Sequence, residues 1–225
     1  MAGSVEAGPR LLRTVPLSGM RGAIARRMTE SLQGSAQLTL NSELDARPLV
    51  AFRGELRKRP EYPEVTYNDL IVLAVARTLP SHQRLNATLE ESAISLWESI
   101  NLGIAVSLEE GLMVPVIPEC GEKTLVEISA ASRDLAGRAR QGRLKMPEVL
   151  GGTFTVSNLG AFGVDHFTPI INPPQVAILG IGRIRNGERL TLSLTIDHRA
   201  VDGAQGGQFL AALAGALEDP AAMRL

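Results

Sequence analysis

The residues with the clearest potential for chemistry surround a histidine near the carboxyl end of the chain, where residues 197–203 read DHRAVDG. A neutral imidazole can accept a proton near pH 7, which makes His198 a candidate general base. Asp197, Arg199 and Asp202 accompany it, and charged groups withdrawn from water must pair with one another. We therefore predict a fixed polar network here. A histidine that is merely hydrogen-bonded at a strand-to-helix junction is the alternative.

A second candidate is the segment of residues 151–160, which read GGTFTVSNLG. It predicts a short strand that ends in Ser157 and Asn158 and continues into a loop containing glycine. A hydroxyl at a strand end can donate a hydrogen bond to a developing oxyanion. Serine, asparagine and glycine also favour turns for local reasons. From spacing alone, the turn is the favoured interpretation.

The remaining polar candidates are weaker. Arg26 and Arg27 could bind the phosphates of a nucleotide-bearing ligand, although a solvated helix face is the favoured interpretation. The single cysteine, Cys120, is not proposed as a nucleophile, because glutamates close on both sides disfavour its thiolate. His82 is expected in a solvated connection and His166 in a loop or interface. The sequence has no HExxH motif and no other cluster of metal ligands, so we predict no metal site.

Helices and strands of mixed order must position these residues. Apolar residues recur at helical spacing between residues 20 and 32, and Thr66 and Thr124 begin segments with the spacing of capping boxes. The predicted helices are residues 18–34, 47–59, 66–79, 124–142 and 203–217. The predicted strands are residues 38–44, 99–108, 113–117, 153–157, 176–183 and 190–197. Asn186-Gly187 predicts a type I′ hairpin between the last two strands, and this antiparallel pairing favours an α+β fold. Residues 80–91 are predicted to be a polar connection.

Composition indicates a folded domain and excludes several classes of protein. The 225 residues are 44% hydrophobic with a formal net charge of -1, which supports a core and argues against a nucleic-acid-binding protein. No apolar run is long enough to span a membrane, and no secretory signal is visible. One cysteine excludes an intrachain disulfide and fits a cytoplasmic protein. We expect a flexible tail or linker at residues 1–14 and one domain at residues 15–225.

Several segments together resemble the catalytic (acyltransferase, E2) domain of 2-oxo acid dehydrogenase complexes. Residues 197–203 are similar to its DHRxxDG signature, and the resemblance covers roughly residues 15–225. Further matching segments occur in the same order, namely residues 22–28 (GAIARRM), 85–87 (LNA), 110–117 (EGLMVPVI), 151–163 (GGTFTVSNLGAFG) and 170–179 (IINPPQVAIL). The histidine motif is shared with chloramphenicol acetyltransferase. This resemblance implies a mixed sheet flanked by helices and a subunit that forms trimers.

The resemblance also implies a reaction and its residues. His198 would deprotonate the thiol of coenzyme A or dihydrolipoamide, Ser157 would hydrogen-bond the tetrahedral oxyanion, and Asp202 would hold the histidine loop through an arginine or a backbone partner. Arg26, Arg27 and Asn158 are the residues proposed to contact coenzyme A. The active centre would lie between two subunits of a homotrimer, which can assemble into a larger cage. The lipoyl group would be supplied in trans, within a complex that includes the E1 and E3 components.

The sequence departs from the family pattern in ways that leave alternatives open. No lipoyl or subunit-binding domain is recognisable, the hairpin after Gly182 is short, and the segment from Gln33 to Leu40 lacks the aromatic and histidine residues often found there. A scaffold subunit that has lost turnover is one alternative. A stand-alone, coenzyme A-dependent acetyltransferase acting on a small acceptor is another. The sequence does not identify which acyl group is carried.

Overall fold

The computed structural model describes residues 9–62, 64–109, 111–223 and 225. Residues 1–8 of the predicted tail, and Glu110 of the turn between two predicted strands, lie outside the described residues. The α-helices of the described chain are α1 (Gly19–Gly34), α2 (Arg47–Leu56), α3 (Tyr67–Thr78), α4 (Leu125–Arg140) and α5 (Gly203–Glu218). Its strands are β1 (Gln37–Asp45), β2 (Ala87–Glu90), β3 (Ala93–Leu96), β4 (Leu102–Ile104), β5 (Val106–Leu108), β6 (Gly111–Met113), β7 (Val116–Ile117), β8 (Phe154–Asn158), β9 (Ala177–Ile181) and β10 (Arg189–Asp197).

Six strands form one mixed sheet in the order β1-β10-β9-β8-β4-β7. Strand β8 runs parallel to both of its neighbours, whereas β10 pairs antiparallel with β1 and β9. The pairs β2–β3 and β5–β6 form separate two-stranded sheets. Parallel and antiparallel pairing in one sheet, with helices packed on it, confirms the predicted α+β class.

Helix α3 lies at the centre of the core, and every residue from Asp69 to Ala76 is buried. A helix that is apolar on most of its surface is stable only when other elements cover it on several sides. Here α2, α4 and α5 pack against it. The predicted capping box is present: the Asp69 backbone N–H donates to Thr66 Oγ1, and the Thr66 N–H donates to Asp69 Oδ2 at 2.9 Å. Ser129 Oγ of α4 donates to the same carboxylate at 3.0 Å, which ties α4 to the start of α3.

Helix α5 packs against the sheet because a glycine lets it approach closely. A Cβ added at Gly206 would lie 2.8 Å from Leu40 Cδ1 of β1, closer than two carbon atoms can pack. This contact lies in the first turn of α5, directly after the loop that carries His198. The packing of α5 on the sheet therefore anchors the carboxyl-terminal end of that loop.

Three sequence predictions need correction. Residues 80–91 are not a simple polar connection, since β2 ends the segment and pairs with β3. His82 is half-buried rather than solvated: its ring meets Phe209 edge-on at 5.6 Å between centroids, and burial lowers the pKa of its imidazole. The strands predicted at 99–108 and 113–117 are each broken, at Ala105 and at Val114-Pro115. Proline supplies no N–H to a strand ladder, so a break there is physically reasonable.

The hairpin predicted between the last two strands is confirmed. Asn186 and Gly187 both have positive φ, 52° and 75°, as a type I′ turn requires. The Glu188 N–H closes the turn on the Arg185 carbonyl at 2.9 Å. This local turn fixes the register in which β10 returns along β9.

The apolar stripe predicted on α1 is only partly covered within the chain. Met20 and Leu32, at its two ends, are 47% and 54% exposed. Between them, Ile24 packs against Gly111 at the start of β6. A hydrogen bond attaches the other end of α1: the buried Ser31 Oγ donates to the Ile171 carbonyl at 2.6 Å. Part of the stripe therefore faces away from the core of its own chain.

Candidate active site

His198 directly follows β10, and its backbone is held while its side chain is exposed. The His198 N–H donates to the Ala36 carbonyl at 2.8 Å, which extends the pairing of β1 and β10 by one residue. The described residues provide no hydrogen bond or ion pair to the imidazole. An exposed imidazole on a fixed backbone is available to take up a proton from a ligand.

The predicted polar network forms around the residue before the histidine. Asp197 is 3% exposed, and its carboxylate pairs with Arg199, whose Nη2 lies 2.5 Å from Oδ2. Its Oδ1 also accepts the backbone N–H groups of Arg199 and Ala36, at 3.1 and 3.2 Å. Burial raises the pKa of Asp197, but these hydrogen bonds outweigh it and hold the pKa below its ordinary value. Asp197 is thus a buried, ionised residue fixed at the base of the histidine loop.

Asp202 lies outside this network. It is exposed and occupies the N-cap position of α5. Its N–H donates to Gln205 Oε1 at 3.1 Å, and among the described residues no arginine pairs with its carboxylate. Within one chain, the contacts that hold the histidine loop come from Asp197 and from the Ala36 carbonyl. The sequence placed Asp197 in the predicted network but did not assign it this role.

Ser157 lies near the end of β8 and lines a groove of about 1050 Å³. Its hydroxyl has no hydrogen-bond partner in the described chain. One face of α4 forms a wall of the groove, contributed by Ser129, Ser132, Arg133, Ala136 and Arg140. At 1.5 Å per residue, these positions extend about 16 Å along the helix. The groove is long enough for an extended ligand that reaches the Ser157 hydroxyl.

Asn158 also lines the groove, but its side chain is engaged within the chain. Its Oδ1 accepts the Gly160 N–H at 2.8 Å, and its Nδ2 donates to Asn68 Oδ1 at 3.3 Å. These bonds fasten the loop after β8 to the start of α3. The turn chemistry favoured from the sequence is therefore present, and it positions the neighbouring Ser157.

Ser157 and His198 lie near opposite ends of the six-stranded sheet. Ser157 pairs with Gly180 of β9, and Gly180 pairs with Ser193 of β10, so Ser157 and Ser193 are level. Strand β10 runs away from that level toward His198, five residues further on. At about 3.3 Å per residue, the separation along the sheet is about 17 Å, and two strand spacings of about 4.8 Å add to it. The two side chains cannot reach one reacting carbonyl within a single chain.

The two arginines of α1 have different surroundings. Arg27 Nε donates to Asn172 Oδ1 at 2.9 Å, and its Nη2 donates to the Pro173 carbonyl at 2.6 Å. Arg26 is exposed and has no hydrogen bond or ion pair in the described part of the chain. The side chain of Arg27 therefore fastens α1 to the loop before β9. Of the pair, only Arg26 is free for an anionic ligand within one chain.

Cys120 and His166, the other candidates from the sequence, differ in their exposure. Cys120 is fully buried, and burial raises the pKa of its thiol to about 12, so it is a protonated core residue rather than a nucleophile. His166 is exposed in a loop.

Residues 9–62, 64–109, 111–223 and 225 contain no group of three or more side chains suited to hold a metal ion. They also contain no helix long and apolar enough to cross a membrane.

Residues 10–225 match the family model for the 2-oxoacid dehydrogenases acyltransferase (catalytic domain). The dihydrolipoyllysine-residue acetyltransferase component of the acetoin cleaving system of Bacillus subtilis is 41% identical over 225 residues, covering 94% of this chain and 56% of that protein. The same component of the pyruvate dehydrogenase complex of Rickettsia felis is 35% identical, covering 97% of this chain and 57% of that protein. The chain thus spans a little more than half the length of these relatives.

Solved structures show the same fold. The dihydrolipoamide acetyltransferase of Azotobacter vinelandii is 30% identical with a TM-score of 0.89, covering 95% of this chain and 94% of that one. The cubic core of a pyruvate dehydrogenase multienzyme complex is 29% identical with a TM-score of 0.90, covering 99% and 98%. A chloramphenicol acetyltransferase, 13% identical with a TM-score of 0.55, shares the fold alone. With the match along residues 10–225, the chain belongs to the family of 2-oxoacid dehydrogenase acyltransferase catalytic domains.

Proposed function

We propose that this chain transfers an acyl group between dihydrolipoamide and coenzyme A. The supporting observation is a pair of unpartnered reactive groups in the described chain: the exposed His198 imidazole on a fixed loop, and the Ser157 hydroxyl in a groove. A serine, a histidine and an asparagine have been investigated for their roles in the catalytic mechanism of the Azotobacter vinelandii protein. That histidine and asparagine are four positions apart, the spacing of His198 and Asp202 in this chain.

The proposed reaction is a thioester exchange with no change of oxidation state. The His198 imidazole accepts the proton of the attacking thiol, and the thiolate sulfur forms a bond to the thioester carbonyl carbon. The carbonyl oxygen becomes an oxyanion, to which the Ser157 hydroxyl donates a hydrogen bond. Collapse of this intermediate breaks the original carbon–sulfur bond, and the departing thiolate takes the proton back from the imidazolium. One oxyanion donor of this kind contributes about 3 kcal/mol of transition-state stabilisation.

We further propose that the reacting groups come from two copies of the chain in a homotrimer. Ser157 and His198 lie near opposite ends of the sheet, so a second copy must bring its histidine to the groove of the first. The uncovered ends of the α1 stripe, Met20 and Leu32, offer apolar surface for such contacts. The cubic core among the similar structures supports further assembly into a cage. A lipoyl domain acting in trans and the E1 and E3 components are the proposed partners, in the cytoplasm.

Coenzyme A is proposed to enter along the groove that contains Ser157. Three residues were first proposed to contact coenzyme A. Two of them, Asn158 and Arg27, use their polar groups for hydrogen bonds within the chain. Arg26 remains the arginine of α1 that can pair with a phosphate. Arg140, which ends the α4 wall of the groove, provides a further guanidinium group.

The test is a panel of acyl-CoA substrates with free dihydrolipoamide, applied to the wild-type chain and to His198→Ala. We expect turnover with at least one acyl group, and a fall in kcat of about 10²–10⁴ in the variant, because a positioned base contributes that factor. His166→Ala, which removes an exposed loop histidine, is the matched control and should retain wild-type kcat. Absence of turnover with every acyl-CoA would favour a scaffold subunit instead. Undiminished turnover in His198→Ala would refute the assignment of the base.

A further inference from the structure

The His198 imidazole receives no orienting hydrogen bond from the described residues of its own chain. A catalytic histidine is usually oriented by a third group that bonds the ring nitrogen distant from the nucleophile. In this chain the fixed part is the backbone: the His198 N–H is bonded to the Ala36 carbonyl, and the Ala200 and Val201 N–H groups are bonded to the Asp197 carbonyl at 2.9 and 3.0 Å. The direction of the side chain must therefore follow from the conformation of residues 197–201.

The Asp197 carboxylate joins the two sides of this loop. It accepts the N–H of Ala36, the residue directly before β1, and the N–H of Arg199, the residue after the histidine. The Arg199 guanidinium closes on both carboxylate oxygens, with Nε 3.0 Å from Oδ1 and Nη2 2.5 Å from Oδ2. The residues on both sides of His198 are thus bonded to one buried carboxylate, a motif that we call the Asp-x-Arg turn.

The fold contains a second Asp-x-Arg turn that has no histidine. Asp45-Ala46-Arg47 ends β1, the strand that pairs with β10. The Arg47 N–H donates to Asp45 Oδ1 at 3.0 Å, its Nε lies 2.9 Å from the same oxygen, and its Nη2 lies 2.6 Å from Oδ2. Corresponding distances in the two turns differ by about 0.1 Å. The turn therefore forms without a histidine. In both places it directly follows a strand and precedes a helix or a loop.

The two turns differ in burial and in the residue at their centre. The Asp45 side chain is 30% exposed and that of Asp197 is 4% exposed. The central residue of the Asp45 turn, Ala46, is fully buried, whereas His198, the central residue of the Asp197 turn, is exposed. The Asp197 turn therefore combines a buried carboxylate with an exposed imidazole on the next residue. Charge-assisted hydrogen bonds in a buried setting fix geometry more strongly than exposed ones.

We propose that Asp197 is a positioning residue of the acyltransferase site, which through Arg199 and Ala36 sets the backbone conformation that aims His198 at its substrate. This inference rests on the proposed function, in which His198 is the base. Asp197 itself does not touch the reacting atoms. Without the turn, the imidazole would still be present, but it would no longer point at the substrate. A displacement of about 1 Å in such a group can lower the rate about a hundredfold.

The test compares Asp197→Asn, Asp197→Ala and the control Asp45→Asn. In Asp197→Ala we expect kcat to fall about a hundredfold, with KM for coenzyme A unchanged and with secondary structure and oligomer size retained. Asp197→Asn keeps an acceptor oxygen for the Ala36 and Arg199 N–H groups, so we expect a smaller loss. Asp45→Asn removes the charge of the other Asp-x-Arg turn, which lies far from His198, and should retain wild-type kcat. Equal losses in Asp45→Asn and Asp197→Asn, or wild-type kcat in folded Asp197→Ala, would overturn the proposal.

Hydrogen–deuterium exchange separates this proposal from the proposed function. In the wild-type chain, the amides of residues 198–201 should exchange slowly, because each is hydrogen-bonded. In Asp197→Ala that peptide should exchange faster while the peptide around residues 45–47 is unchanged. This readout does not require turnover, so it tests the turn even if the wild-type chain is inactive with every acyl-CoA. Unchanged exchange at 198–201 in Asp197→Ala would show that the carboxylate does not hold the loop.

Discussion

The side chains of this site differ in whether their hydrogen-bonding groups find partners within their own chain. His198 and Ser157 have no hydrogen-bond partner in the described residues, so both are available to a ligand. Asp197 and Arg199 are satisfied by each other and by backbone groups. Cys120 is buried and its thiol, with a pKa raised to about 12, stays protonated at neutral pH. Availability, rather than residue type alone, separates the groups that can react from those that hold the structure.

The hydroxyl of Ser157 gives the first residue-scale prediction. Ser157→Ala should lower kcat by about 10²–10³ and leave KM for coenzyme A nearly unchanged, because the oxyanion forms only in the transition state. Ser157→Thr, which keeps a hydroxyl, is the matched variant and should retain more activity than the alanine variant. Steady-state kinetics with acetyl-CoA and dihydrolipoamide measures both. A raised KM with unchanged kcat would assign Ser157 to ground-state binding instead.

The ionisation of Asp197 gives a second prediction, about pH and stability. Its pKa in the folded chain is lowered by hydrogen bonds that outweigh the effect of burial. A carboxyl group with a folded-state pKa below its unfolded value of about 3.9 stabilises the fold above that pH, and the contribution is lost as the pH falls through the folded value. Melting temperatures measured from about pH 5 to about pH 3 should therefore fall more steeply for wild type than for Asp197→Asn. Parallel curves would contradict this.

At the scale of elements, the site is made from strand ends and the segments fastened to them. Ser157 is the next-to-last residue of β8, and His198 follows β10 where it pairs with the start of β1. Asn158 binds the loop after β8 to the start of α3, and Arg27 binds α1 to the loop before β9. The candidate side chains thus have sequence neighbours, such as Asn158 beside Ser157 and Arg27 beside Arg26, whose polar groups form hydrogen bonds that hold the local structure in place.

The arginines of α1 provide an element-scale prediction that separates structure from ligand binding. Arg27→Gln should lower the free energy of unfolding by about 1 kcal/mol, since it removes two hydrogen bonds from an exposed guanidinium, and should leave KM for coenzyme A unchanged. Arg26→Gln should leave stability unchanged and raise that KM. Thermal unfolding and steady-state kinetics on the two variants provide the measurements. An increase in KM for Arg27→Gln without loss of stability would show that Arg27 binds the coenzyme.

At the scale of the whole molecule, one folded chain does not bring Ser157 and His198 together. The separation of Ser157 and His198 follows from strand directions alone, because β8 and β10 run in opposite directions in one sheet. No rotation of side chains can close about 17 Å along a sheet. A closed symmetric oligomer can do so, because each interface brings one end of a chain to a different part of its neighbour.

A complementation experiment tests this arrangement. His198→Ala and Ser157→Ala chains, each nearly inactive, should recover activity when they are expressed together, because some sites then take the serine from one variant and the histidine from the other. Random mixing should restore roughly a quarter of the sites. Mixing the assembled proteins without subunit exchange is the control and should restore none. If both groups came from the same chain, co-expression would recover nothing.

Periodicity and turn chemistry were enough to predict the helices, both capping boxes and the type I′ hairpin. These features depend on residues a few positions apart, such as Thr66 with Asp69 and Asn186 with Gly187. Strand β2 and the breaks in the strands at 99–117 were not predicted. Strand β2 pairs with the adjacent β3 but is also bridged to the distant Gln175. The break after β4 depends on distant partners, since β4 pairs with both β7 and β8.

The amino-acid sequence by itself determined which groups could do chemistry: His198, Ser157 and Asp202 stand in segments whose types and order are those of an acyltransferase family. The tertiary structure decided the surroundings and the hydrogen-bond partners of each group. It placed His198 next to the buried Asp197 carboxylate that pairs with Arg199, bonded Arg27 to the loop before β9, and left Asp202 at a helix cap. It also placed Ser157 and His198 near opposite ends of one sheet. The physical reason is that availability, burial and distance depend on long-range pairing and strand direction, which local spacing does not encode.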